Sequence, residues 1–145
     1  MNNILFKTPS SSKEFEEYDL FRWEILRKPI GKSIESLKDE HENSSYHLIG
    51  LVDNKIIACG RLHYNSPNEA QIRYMAINEN FQRKGIGVKI IELLEVEAKK
   101  KQVSKIILNA RDHVLEFYKK SGYVAVKKYE GSDTGIPHTR MEKIL

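Results

Sequence analysis

The sequence predicts an α/β (α+β) fold, with helices packed on a largely antiparallel sheet, and three observations carry that reading. A chain of 145 residues, 40% hydrophobic and 30% charged, has the length and balance of one soluble globular domain with its own core. Its apolar segments switch between period two and period 3.6 in the order β, α, α, β, β, β, α, β, α, β, β. From Gln71 to Leu94 an apolar-rich strand runs into a glycine-bearing turn, and the turn opens a helix.

The first strand candidate is Ile4-Leu5-Phe6-Lys7, stopped by Pro9. Ser11 stands three residues before Glu14, the spacing of a capping box, and Phe15, Tyr18, Phe21, Arg22 and Ile25 follow at helical spacing. Pro29 and Gly31 end that helix. Ser33 to Glu42 reads as a second, short helix or a partly ordered loop, and Asn43-Ser44-Ser45 is a break. Tyr46 to Val52 and Lys55 to His63 are strands joined by the two-residue turn Asp53-Asn54, which makes a hairpin. After a turn at Asn65 to Asn68, Glu69 to Ile77 is the next strand. Strict alternation puts Ala70, Ile72, Tyr74 and Ala76 on one face and Gln71, Arg73, Met75 and Ile77 on the other. The helix after Gly87 buries Ile90, Ile91, Leu94 and Ala98. Glu95 with Lys99 and Glu97 with Lys101 are spaced to pair on its wet side. Lys105 to Asn109 is a short buried strand. Val114, Phe117, Tyr118 and Ser121 share a face of a short helix capped by Gly122. Strands from Tyr123 and from His138 to Ile144 flank a loop, Gly131 to Pro137, and close the chain.

Composition excludes several classes. The net charge of +4, from 24 basic and 20 acidic residues, suits an anionic small ligand and is too small to argue for nucleic acid. Cys59 is the only cysteine, so no internal disulfide can form. The start is too short and polar for a signal peptide, and no run approaches the roughly 18 apolar residues of a membrane span. A cytoplasmic protein, with no membrane partner, is expected.

The turn at 82–87 is where chemistry concentrates. The first-turn amides of a helix have no partners inside it, and the helix dipole makes that end positive, so a strand–glycine–helix junction is a natural anion site. Gly85 and Gly87 let the backbone approach a bound group, and Gln82, Arg83 and Lys84 add donors and charge. A Walker A loop is excluded, because Gly87 is followed by Val88-Lys89-Ile90 rather than Lys-Ser/Thr. A dinucleotide fingerprint is excluded by Ile90, which stands where the third glycine belongs, and by the three strands that precede this one. Two readings remain at this level: a phosphate-bearing ligand, or a tight turn that binds nothing.

Gln82-Arg83-Lys84-Gly85-Ile86-Gly87 fits the Gln/Arg-x-x-Gly-x-Gly/Ala pattern of the GNAT superfamily of N-acetyltransferases. Glu69 to Ile77 resembles that family's central strand, Lys105 to Ala110 the next, and His113 to Gly122 its Phe-Tyr helix, with Val114 where alanine is usual. The element order matches over nearly the whole chain. The closing Gly-Ile-Pro-His-Thr-Arg-Met, with Met75-Ala76-Ile77 and Leu108 to Arg111, resembles the ElaA-like bacterial branch. The resemblance implies one GNAT domain over residues 1–145, built on a mixed sheet of about six to seven strands with helices on both faces. It implies acetyl-CoA, or another acyl-CoA, as co-substrate and no metal. The pyrophosphate would rest on the amides from Gln82, Arg83 and Lys84 through Gly85, Ile86, Gly87 and Val88. The pantetheine arm would pair with the backbone of Met75, Ala76 and Ile77, in the gap where the family's central two strands splay. Asn109 would meet the arm from the other side, or else satisfies local backbone groups. A small-molecule or peptide amine is the implied acceptor, and a monomer or homodimer the implied assembly.

Attack of an amine on a thioester releases a thiolate that must be protonated or hydrogen-bonded. Tyr118 matches the family's general-acid tyrosine by position; its structural alternative is a core aromatic beside Phe117. The general base is open among His138, His63, Glu69, Glu79 and Asp112, or water. His138 stands out because it begins the last strand after a flexible loop. The backbone amide of Ile77 is placed to hold the oxyanion. Arg73 binds either an anionic part of the acceptor or an acidic neighbour such as Glu69 or Glu42. Arg22, Trp23 and Arg27 border the acceptor cleft or form an ordinary amphipathic face. Cys59, mid-strand among apolar residues, reads as core packing rather than a nucleophile. The rival functions are a non-catalytic acyl-CoA sensor and a nucleic-acid-binding domain, and for the second no motif is present.

Overall fold

The computed structural model describes residues 3–145. The elements in chain order are β1 (Leu5–Lys7), α1 (Ser12–Leu26), β2 (Tyr46–Val52), β3 (Lys55–Ser66), β4 (Glu69–Ile77), α2 (Ile86–Lys100), β5 (Lys105–Arg111), α3 (Leu115–Lys120), β6 (Val124–Tyr129) and β7 (His138–Ile144). They build one seven-stranded sheet in the order β1-β2-β3-β4-β5-β7-β6. Every neighbouring pair is antiparallel except β4 and β5. That parallel pair is joined only from Glu69↔Lys105 to Gln71↔Ile107, although β4 runs on to Ile77 and β5 to Arg111. The two central strands therefore part, as expected.

Local chemistry sets most boundaries. Ser11 accepts the Glu14 N–H at 3.1 Å and starts α1, while the Glu14 carboxylate takes the Ser10 N–H at 2.9 Å and the Lys7 ammonium at 2.9 Å. Asp53 and Asn54 both have positive φ, 51° and 64°, which is the backbone that a two-residue hairpin turn demands. Gly60 has no room for a side chain: a Cβ there would lie 2.8 Å from Ile90 Cγ2. That lets α2 sit tightly on the sheet, over Leu48, Leu62, Ile72, Ile106 and Leu108. Helix α1 covers the opposite face through Tyr18, against Ile49, Leu51, Cys59 and Ala76.

Several expectations change. Residues 33–42 form no α-helix; single 3₁₀ turns stand at Ile34–Leu37 and Glu42–Ser44. With only Ile34 and Leu37 apolar there is no stripe to bury, and Asp39 and Glu42 turn inward to meet arginines. Strand β3 runs on to Ser66 rather than ending at His63. Strict alternation fails in β4. Cys59 pairs with Ala76 and Arg61 with Arg73, so Tyr74 and Met75 together oppose Gly60. This is a β-bulge, with Tyr74 at φ 55°. It turns Met75 and Ile77 toward the α2 core and Ala76 toward α1, the reverse of simple alternation. Glu95 is buried at 7% exposure; it accepts the Tyr123 hydroxyl at 2.9 Å and the Lys143 ammonium at 3.1 Å instead of pairing with Lys99. The nearest basic partner of Glu97 is Lys100, at 4.0 Å, not Lys101.

Candidate functional site

A cavity of about 1240 Å³ opens where β4 and β5 separate. Its floor is β4 from Gln71 to Ile77, one wall is the start of α2, and the other is β5 with α3. Gly85 caps α2 without a side-chain hydrogen bond, and the first internal bond of the helix is Lys89 N–H to Gly85 C=O. The first-turn amides of 86–88 are thus the unsatisfied, electropositive end of a helix. Gly85 has φ +81°, and a Cβ there would meet nothing within 4 Å, so the space before it is open. Arg83 also has positive φ, 63°, and Gln82 holds the turn to the sheet by donating its side-chain N–H to the Ile77 carbonyl at 3.2 Å. Gly87 matters sterically: a Cβ there would lie 2.8 Å from Phe117 Cζ. Met75, Ala76, Ile77, Gln82, Arg83, Gly85, Ile86, Gly87, Val88 and Asn109 all line this one cavity; Lys84 borders the turn with its ammonium 5.6 Å from the Phe81 ring centre.

The cavity tests the fit of an acyl-CoA. Beyond Gln71 the β5-facing backbone edge of β4 has no strand partner among the described residues. On the facing side, Asn109 Oδ1 is buried with no hydrogen bond among the described residues. A buried orphan acceptor costs free energy, about 1–3 kcal/mol, unless something else supplies a donor. An amide-bearing arm ending in a pyrophosphate has the matching groups.

Tyr118 lines the same cavity, packed edge-on against Phe117 at 5.0 Å and Tyr123 at 6.2 Å. Burial pushes its hydroxyl up to about 12, against the pull of the Arg111 charge, so it holds its proton at neutral pH. Among the five candidate bases only His138 lines the cavity. Its Nδ1 lies 2.6 Å from the Ile136 carbonyl, which makes Nδ1 the donor and leaves Nε2 with a lone pair when the ring is neutral. His63 is elsewhere, 3% exposed on β3 and stacked on His41 at 4.0 Å; burial pushes it down to about 4. Glu69 is taken up by Asn65, Lys105 and Arg140, and Asp112 accepts the Thr139 hydroxyl at 2.7 Å. Cys59 is fully buried away from the cavity, and burial pushes its thiol up to about 12.

On the α1 face behind the cavity lies a buried ion cluster. Glu42 joins Arg22, at 2.5 Å, to Arg61, at 3.1 Å; Asp39 joins Arg61 to Arg73, each at 2.8 Å. Burial alone would raise both carboxyls. The arginines outweigh it, holding Glu42 below the usual carboxylate range and Asp39 at about 2. Arg22 therefore belongs to this cluster and does not border the cleft, and Arg73 pairs with Asp39 rather than Glu69 or Glu42. Trp23 donates to the Lys32 carbonyl at 2.9 Å. Arg27 does reach the cavity, where it grips Asp133 of the β6–β7 loop at 2.9 and 3.3 Å. That pairing spans 106 positions and carries no local signal. Arg111, also missed by sequence reasoning, is legible only as the next residue on the β5 face that carries Ile107 and Asn109.

The family model of the acetyltransferase (GNAT) domain matches residues 14–145. The chain belongs to the GNAT acetyltransferase family. It is 31% identical over 122 residues, 84% of the chain and 86% of the relative, to the uncharacterized N-acetyltransferase YjcF of Bacillus subtilis (strain 168). Among solved structures, an aminoglycoside 6′-N-acetyltransferase complexed with coenzyme A superposes with TM-score 0.81 at 14% identity, over 97% of this chain and 96% of that one. Escherichia coli ElaA superposes with TM-score 0.80 at 16% identity, over 99% of each chain. At those identities the likeness is one of fold. The GNAT assignment makes this chain an N-acetyltransferase. The mixed sheet, with its single parallel β4–β5 junction, is the family's scaffold. Among the described residues no helix is long and apolar enough to cross a membrane.

Proposed function

We propose that this protein transfers an acetyl group from acetyl-CoA to a primary amine by direct attack within a ternary complex. The observation that carries the reading is the parting of β4 and β5 beside a helix whose glycine cap leaves its first-turn amides free. Gln82 to Val88 hold the pyrophosphate, with Arg83 and Lys84 adding charge, and the backbone of Met75 to Ile77 pairs with the pantetheine arm. Asn109 Oδ1 accepts an amide N–H of that arm. His138 Nε2, directly or through water, takes a proton from the acceptor ammonium. The amine nitrogen attacks the thioester carbonyl carbon, and the Ile77 N–H stabilises the oxyanion. When the C–S bond breaks, Tyr118 gives its proton to the leaving thiolate. The products are an amide and free CoA, with no acyl-enzyme; the buried, protonated Cys59 supports that route.

The test is an acetyl-CoA-dependent screen over polyamines, amino acids, aminoglycosides and peptides, run beside calorimetry with CoA. Binding and transfer are expected. Absence of CoA binding overturns the reading, and binding without any transfer favours a sensor.

A further inference from the structure

The acceptor side of the cavity holds one guanidinium whose charge no carboxylate among the described residues answers. Arg111 ends β5 on the face turned toward α1, directly opposite His138 in the β5–β7 register. Its only side-chain hydrogen bond among the described residues is from Nη2 to the Leu26 carbonyl, at 3.3 Å. The other arginines of this face differ. Arg27 is chelated by Asp133, and Arg22 and Arg61 are enclosed by Glu42, Asp39 and Asp19. Arg73 is an intermediate case. In its cluster four cations, Arg22, Lys38, Arg61 and Arg73, share three carboxylates, Asp19, Asp39 and Glu42. The cluster carries one positive charge more than its carboxylates balance, and Arg73 is the member that lines the cavity, with 40% of its side chain exposed. Asp133 is the only carboxylate lining the cavity among the described residues, and Arg27 already takes it. Arg111 lines the same cavity as Tyr118, the residue that the reading above sets beside the thioester, and its charge acts on that hydroxyl.

On the acyl-CoA reading above, we propose that the acceptor is an amine bearing a carboxylate or phosphate, and that Arg111, reinforced by Arg73, binds that anion. A guanidinium fork offers five N–H donors in a plane that matches either group two at a time. Arg111 spends one on Leu26. An anion seated there shares the cavity with His138, its neighbour across the β5–β7 register, so one small acceptor can carry both the anion and the reacting amine. The plainer role, tying β5 to the negative C-terminal end of α1, uses that same single donor. It predicts no discrimination among acceptors.

The experiment compares matched acceptors: serine with 2-aminopropane-1,3-diol, phosphoethanolamine with ethanolamine, and glucosamine 6-phosphate with glucosamine, each corrected to its free-amine concentration. In at least one pair the anionic member is expected to show kcat/KM at least about tenfold higher, carried by KM, as a charge-assisted bond gives. Arg111→Gln should cut that preference about tenfold, and Arg111→Lys should keep part of it. Salt should weaken the preference, because it is electrostatic. Neutral members equal to or better than anionic ones in all pairs overturn the inference, as does a preference unaltered in R111Q. Calorimetry with CoA reads the underlying function separately. Full CoA binding with no transfer to any of the six overturns the acceptor assignment and leaves the CoA site standing; absent CoA binding overturns both.

Discussion

Glu42→Ala tests how the acceptor wall is held. The Glu42 carboxylate is the shared counter-ion of two fully buried guanidiniums, Arg22 and Arg61, and lies 3.8 Å from both Lys38 and His47. Removing it leaves two cations out of water with Asp19 and Asp39 as their remaining partners. Breaking a buried ion pair from one side costs about 3–5 kcal/mol, because the uncompensated charge stays behind. For a chain of this size each kcal/mol lowers Tm by about 2–4 °C, so a fall of roughly 6–20 °C is expected. Urea unfolding followed by circular dichroism reads the loss in free energy directly. An apolar replacement of the trio, Arg22→Met with Glu42→Leu and Arg61→Met, supplies the contrast, because removing a buried ion triad together is often neutral, and Asp19 and Asp39 keep Lys38 and Arg73 as partners. A loss under about 1 kcal/mol in E42A, or a trio variant as unstable as E42A, refutes the view that stranded charge is the cause.

The two glycines of the turn should separate by mechanism. Gly87→Val drives a side chain into Phe117 and should weaken CoA binding at least about tenfold, a cost of about 1.4 kcal/mol, whereas Gly85→Ala meets only backbone strain of about 1–2 kcal/mol; equal affinities by calorimetry would deny the steric argument. Tyr118→Phe should lower kcat about 10²–10⁴-fold while CoA affinity stays nearly unchanged, and undiminished turnover would remove Tyr118 from its role. Acid should unfold the protein through Asp39 and Glu42. Both are depressed in the fold, so their stabilisation is complete above the ordinary carboxylate range and is lost as pH falls through it toward about 2, the value for Asp39. A urea midpoint that does not move between about pH 5 and about pH 2 contradicts that assignment.

Features set by neighbours along the chain are legible in the sequence. Asp53-Asn54 specifies its hairpin because both residues tolerate positive φ. The bounds of β4 follow from its run of alternating residues between turn signals, and the glycine turn gives α2 to within two residues: the helix expected after Gly87 starts at Ile86, because Gly85 takes the left-handed cap. The pairings that turn the chain into a site are not legible, because they join distant positions. Asp39 and Glu42 sit in a stretch that offers a weak helix signal. Only Arg61 and Arg22, on β3 and α1, explain why they turn inward. The choice among five possible bases is likewise a matter of placement: four lie outside the cavity, and no spacing in the chain says so.

Tyr74 joins the two kinds of information. A non-glycine residue at φ 55° breaks the local rule for a strand, and the surroundings sustain it: its ring lies under Arg22, Arg61 and Arg73, at 5.6, 4.9 and 4.5 Å from its centre. The bulge it makes reverses the side-chain pattern of Met75 to Ile77 just where β4 loses β5 as a neighbour. Backbone groups left unpaired inside a protein must find partners. The acyl-CoA reading supplies them with an extended, amide-bearing arm, and the ion cluster under Tyr74 then has a second consequence. By fixing the bulge it also fixes Arg73 at the rim of the same cavity, so the groups proposed to receive the acyl donor and the acceptor's anion are held by one set of buried charges.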